Sequence, residues 1–210
     1  MHATAVMDRP MDGTMDSEDE GELAASTDSL GGGAVWYIEV ASPIGVLVVT
    51  NESDSVTGLY MESHRHGPIN RGGWILDSRR ERAALNLARR QLIEYFEGTR
   101  QVFELPLAAQ GTAVQKDVWR ALAQIPYGET RSYGEIARQL GKPKASRAIG
   151  AANGRNPISI VVPCHRVIGS DGSLTGFGGG IERKQWLLAH EARVKGAGAG
   201  AGAGAIEGLR

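Results

Sequence analysis

The chain has 210 residues, 41% hydrophobic and 22% charged, with a single cysteine; this excludes fibrous and disulfide-framework classes and leaves one ordinary core or two small ones. Neither an apolar run of the roughly 20 residues that span a bilayer nor a basic-then-apolar leader is present, so a cytoplasmic protein without a membrane partner is expected. The formal net charge of −1 conceals a strong division along the chain, and the positive part points to a polyanion partner.

Residues 1–34 hold eight acids against Arg9 alone, with Ser, Thr and the run Gly31-Gly32-Gly33. They lack the apolar groups that repay ordering, which predicts a disordered acidic tail. From Val35 to Val40 and from Val46 to Thr50 the pattern is that of two strands, joined at Ser42-Pro43-Ile44-Gly45, with a third strand over Val56 to Met61. Arg79 to Glu97 carries Ala84, Leu85, Ala88, Leu92 and Phe96 near helical spacing and is followed by Gly98, a stop signal. These elements make residues 35–111 a small α/β domain, with Leu105 to Gly111 as its link to the next.

Residues 112–195 form the basic part: 113–195 hold thirteen Lys and Arg against six Asp and Glu. A helix is predicted near Val114 to Gln124, before the turn Pro126-Tyr127-Gly128. Ser132 three residues ahead of Glu135 is a capping box, opening a helix through Leu140 that Gly141 stops. Pro143 suits the first turn of a further helix that Gly154 ends. Two short helices about a tight turn fit a helix-turn-helix, and equally an ordinary helical hairpin; Lys142, Lys144, Arg147 and Arg155 favour the first, since DNA phosphates need cations. Gly196 to Ala205 alternates Gly and Ala, and residues 196–210 read as a flexible tail.

Ile158 to Val162 is a nearly continuous apolar run, predicted as a buried strand that delivers Pro163-Cys164-His165-Arg166 to its end. A lone cysteine is often an inert core thiol. A histidine and an arginine beside it are the groups that turn a thiol into a nucleophile. Neighbouring side chains on an extended segment point to opposite faces, so Cys164 and His165 meet only through a turn or a bridging water. A thiol protease or acyltransferase fits these residues as well as an alkyl acceptor does.

Pro163-Cys164-His165-Arg166-Val167 resembles the signature of the O6-alkylguanine-DNA alkyltransferase family. The likeness runs from Thr112 to Glu191 through Val118-Trp119, Ile125-Pro126-Tyr127-Gly128, Ser132-Tyr133, the stretch from Pro143 to Gly150, Asn156-Pro157 and Trp186-Leu187-Leu188-Ala189-His190-Glu191. It implies an α/β protein in which an RNase H-like α/β domain precedes a mainly helical, winged-helix-type DNA-binding domain that carries the active site. The implied activity is DNA repair by suicidal, single-turnover transfer of a methyl or other alkyl group from O6-alkylguanine, and from O4-alkylthymine, to Cys164. The implied partner is double-stranded DNA containing the lesion, met by a monomer without a cofactor.

By the same resemblance His165 is the base acting through a water and Glu191 the carboxylate that orients it. Asn156 is the hinge between recognition helix and active site. Tyr133 rotates the target phosphate and donates to O6, while Arg147 is the finger that replaces the extruded base. Gly134, Lys142 and Ser170 are further DNA contacts, and Val167, Phe177 and Gly178 wall the base pocket in the loop Thr175 to Gly180. Phe177 stands where some relatives have tyrosine, which removes a hydroxyl and keeps a stacking face. The zinc site of some relatives has no counterpart; His64 and His66 are a lone His-x-His, and no metal is expected. A DNA-binding damage sensor without catalysis is the competing reading, and the presence of Cys164 argues against it.

Overall fold

The computed structural model describes residues 34–68 and 70–197. The expectations for most of the acidic segment and for the chain beyond residue 197 lie outside the described residues.

Strands β1 (Trp36–Val40), β2 (Leu47–Glu52) and β3 (Ser55–Met61) form an antiparallel meander. The expected turn joins the first two, closed by Gly45 N donating to Ser42 O at 3.1 Å. Gly45 has φ 100°, a left-handed conformation that glycine adopts without cost. A two-residue strand β4 (Ile75–Leu76), with no signal in the sequence, adds parallel to β1 and gives the order β3-β2-β1-β4. Ile38 and Val40 are buried while Glu39 between them is exposed, the period-two alternation of a sheet with one covered face.

Helix α1 (Ala83–Glu97) packs with Ala84, Leu85, Ala88, Leu92 and Tyr95 buried. Each large apolar side chain fully removed from water contributes about 1.5–3 kcal/mol. The helix starts four residues later than its apolar spacing suggests. The Asp77 carboxylate accepts from Glu81 N and Arg82 N, and Arg80 is left-handed at φ 58°, so residues 78–82 turn instead of coiling. Gly98 ends α1 at φ 79°, as its position predicts.

The outer edge of β3 is not left open. Val56 N donates to Pro106 O, Ala108 N to Val56 O, and Leu59 N to Pro157 O, all at 2.8–2.9 Å. The linker and a segment of the second half thus extend the sheet, and the described residues form one compact unit. That unit continues with α2 (Ala113–Ala123), β5 (Arg131–Ser132), α3 (Tyr133–Gln139), α4 (Ser146–Gly154), β6 (Val167–Ile168) and α5 (Ile181–Ala197). Thr112 caps α2 with Gln115, and Ser132 caps α3 with Glu135, each a complete capping box. Trp119 of α2 is buried, and its Nε1 donates to Ala152 O of α4 at 2.9 Å.

Two expectations need correction. Pro143 is not in the first turn of α4, which starts at Ser146. Gly141 is left-handed at φ 68°, Lys142 N bonds back to Ala137 O and Ala145 N to Lys142 O, so 142–145 make a separate turn. The apolar run Ile158 to Val162 is buried but is no strand. Asn156 Oδ1 accepts from Ile158 N at 3.1 Å and its Nδ2 donates to Val162 O at 2.8 Å. With Val162 N on Ile158 O and Ile160 at φ 71°, the run folds back on itself. A β-branched residue in that region costs about 1–3 kcal/mol, a strain that recurs where a site is held in place.

Candidate active site

The folded-back run delivers Cys164, His165 and Arg166 as one 3-10 turn, opened by Cys164 N donating to Val162 O at 2.8 Å. All three residues are buried. The chain therefore turns at the cysteine, and His165 is carried round to α5, where Nε2 lies 2.8 Å from Glu191 Oε1.

Glu191 is fully buried and is the hub of the site. Besides His165 it accepts from Arg166 Nε at 2.9 Å and Nη2 at 3.0 Å, Tyr95 OH at 2.8 Å and Gly128 N at 3.0 Å. Burial works against its charge, but His165 and Arg166 prevail and hold the carboxyl far below the usual carboxylate range. An ionised acceptor fixes the imidazole tautomer: Nε2 carries the hydrogen and Nδ1 presents its lone pair. Burial holds His165 below its ordinary pKa, with the Arg166 and Lys184 cations acting the same way and Glu191 against them. His165 Nδ1 is buried and has no hydrogen-bond partner among the described protein groups. That atom can take up a proton.

The Cys164 thiol is pushed up by burial, with the Asn156 and Ser159 side chains and the Lys184 cation acting in the opposite direction. Its sulfur lies 3.8 Å from Ser159 Oγ. Lys184, which no motif or spacing marks, is fully buried. Its Nζ donates to the carbonyls of Val167 and Thr175, tying the end of the Cys164 turn to the glycine-rich loop. Burial lowers it to about 8.

Tyr133 OH donates to the same Thr175 carbonyl at 2.9 Å. Phe177 is buried, its ring edge-on to His165 with centroids 6.4 Å apart. Behind the loop stands the sheet domain: Arg65 N donates to Gly178 O at 2.9 Å, and a Cβ on Gly178 would come within 2.5 Å of His64 Nε2. His64 Nδ1 accepts from Met61 N at 3.5 Å, and burial lowers the ring to about 4. The cysteine, His165, Glu191, Asn156, Val167 and Phe177 are thus gathered around one turn, while Gly178 packs against Arg65 and His64. Arg147 on α4, Lys142 in the turn before it and Ser170 after β6 are exposed, while Gly134 on α3 is half-buried.

Fold and site together set a single buried thiol, followed by a histidine–carboxylate pair, next to the helix pair α3–α4. The described sequence matches two domains of one family: the ribonuclease-like domain of 6-O-methylguanine DNA methyltransferase over residues 35–109, and its DNA-binding domain over 113–193. A methylated-DNA–protein-cysteine methyltransferase of Mycolicibacterium paratuberculosis is 52% identical over 159 residues, 76% of this chain and 93% of that protein. The crystal structure of Mycobacterium tuberculosis OGT in complex with DNA matches with a TM-score of 0.69 at 48% identity, covering 76% of this chain and 94% of that one. That of the M. tuberculosis O6-methylguanine methyltransferase gives 0.69 at 49%, with 76% and 93% covered. The chain belongs to the 6-O-methylguanine DNA methyltransferase family.

Proposed function

We propose that this protein repairs DNA by taking the methyl or other alkyl group of O6-alkylguanine, and of O4-alkylthymine, onto Cys164, once per molecule. The observation that carries the reading is the His165 imidazole, held by Glu191 at 2.8 Å through Nε2, with Nδ1 buried and unpartnered among the described protein groups, in the same 3-10 turn as the buried Cys164 thiol. A thiol whose pKa burial has raised needs that base at neutral pH. The thiol proton passes to Nδ1 through a water, and Glu191 stabilises the imidazolium. Sulfur then displaces guanine at the alkyl carbon: the S–C bond forms, the C–O6 bond breaks, and its electron pair stays on O6. Tyr133 meets that charge by exchanging Thr175 O for O6 as the acceptor of its hydroxyl hydrogen.

The lesion lies within the base stack, so the nucleotide has to be extruded at a cost of a few kcal/mol. Arg147 fills the space it leaves. Lys142, Gly134 and Ser170 hold the backbone of double-stranded DNA, and Asn156 links the recognition helix α4 to the acceptor turn. The protein acts as a cytoplasmic monomer, with residues 35–111 and 112–195 as its two working parts. Among the described residues no helix is long and apolar enough to cross a membrane. Because a thioether offers no bond that the neighbouring groups can hydrolyse, the protein is consumed. Incubation with a methylated and an unmethylated duplex, read by intact-protein mass, tests this: one methyl is gained from the first only, and a catalytic excess of repaired DNA with unmodified protein refutes it.

A further inference from the structure

Asn153 lies in the last turn of α4, three residues ahead of Asn156, which follows the helix, and nothing in the chemistry above uses it. It is 1% exposed. Its Nδ2 donates to two backbone carbonyls, Gly176 O at 3.0 Å and Cys164 O at 3.3 Å. Its Oδ1 is buried with no partner among the described protein groups. A buried amide with one end unsatisfied costs stability that an apolar side chain of the same size would not. What the amide achieves is a fixed separation between two segments: both of its hydrogens are spent, one on the turn that carries the acceptor sulfur, the other on the loop facing it.

That loop is poised to respond. Gly176 is left-handed at φ 68°, and a Cβ there would run into Tyr133 Oη, so only glycine fits between Tyr133 and the loop. The residue before it is tied by Tyr133 and Lys184 through Thr175 O. The residue after it, Phe177, lies edge-on to His165. An alkyl group approaching the sulfur has to fit between acceptor turn and loop, and Asn153 is the side chain that bonds to both.

We infer that Asn153 is a specificity-determining positioning residue: by clamping Gly176 to the Cys164 turn it sets the size of alkyl group that the site transfers. The inference rests on Cys164 being the acceptor, as proposed above. It belongs to α4, so the element that meets DNA is also the one that gauges the alkyl pocket.

The test is a ratio. Single-turnover rates are measured on the full chain with duplexes carrying O6-methylguanine or O6-benzylguanine, for the wild type, Asn153→Leu, which keeps bulk and removes both donors, and Asn153→Ser, whose hydroxyl reaches at most one carbonyl. Loss of one hydrogen bond worth about 1 kcal/mol corresponds to roughly fivefold. The benzyl-to-methyl ratio is expected to rise by up to roughly 25-fold in Asn153→Leu, which loses two such bonds, and about fivefold in Asn153→Ser, which loses one. A ratio unchanged in whichever variant folds, with both rates falling together, overturns the inference and leaves the acceptor assignment intact. A wild type that takes up neither group overturns the acceptor assignment and this inference with it.

Discussion

Replacing Glu191 by glutamine separates what the carboxylate does for the fold from what it does for the reaction. The change keeps the shape of the side chain and removes the charge that Arg166 and His165 share. Arg166 is 6% exposed, so its guanidinium is left buried without a counter-ion, which costs about 3–5 kcal/mol. At about 2–4 °C per kcal/mol for a protein of this size, the midpoint of unfolding should fall by roughly 10 °C. In the proposed mechanism the His165 imidazolium also loses its partner, and a positioned base contributes about 10²–10⁴ in rate; a drop near hundredfold is expected well below the melting range. Calorimetry and single-turnover methyl transfer read the two effects. Adding Arg166→Met removes the stranded cation, so the double variant should regain stability without regaining rate. Regained rate would show that Glu191 serves Arg166 rather than His165. The linkage has a definite sign: Glu191 titrates far below its ordinary 4.5 when folded, so its contribution is complete above that value and is lost as pH falls below it. Glu191→Gln should flatten the acid side of the stability curve; an unaltered curve and melting point would refute the argument.

Arg147 is exposed on α4, and Arg147→Ala should slow repair of a duplex far more than reaction with free O6-alkylguanine base, which needs no extrusion. Equal slowing of both contradicts its role. Lys142→Ala, by contrast, should weaken DNA binding and lower its salt slope by about one, with no defect toward the free base. Because burial holds His165 below 6.5, the rate of transfer should stay level down to that pH and decline only under it; a decline centred above 6.5 would show the base to be a different group.

Local rules were legible in the sequence, and contacts between distant segments were not. The capping box of Ser132 and Glu135 and the stop at Gly98 are decided by residues a few positions apart, and both lie where the sequence places them. The run Ile158 to Val162 reads as a strand because a continuous apolar stretch reports burial and not conformation. Its fold-back is decided by the Asn156 amide, which bonds to both ends of the run. The ligands of Glu191 come from α1, the turn at Gly128 and the turn at Cys164, so its position as hub appears only when those segments meet. Lys184 and Asn153 act on backbone carbonyls, which carry no mark in a sequence. The residues proposed to face DNA are singled out by family motif and charge alone, since exposed cations need no partner within the fold.

The account turns on where the alkyl group goes. The full chain is given an excess of duplex carrying isotopically labelled O6-methylguanine, then digested, and the label is mapped by peptide mass spectrometry beside Cys164→Ser. One labelled methyl per molecule on the peptide holding Cys164, and none on the serine variant although it still binds the duplex, is the predicted result; label on any other residue, or methyl lost from the DNA in excess of protein, would contradict it.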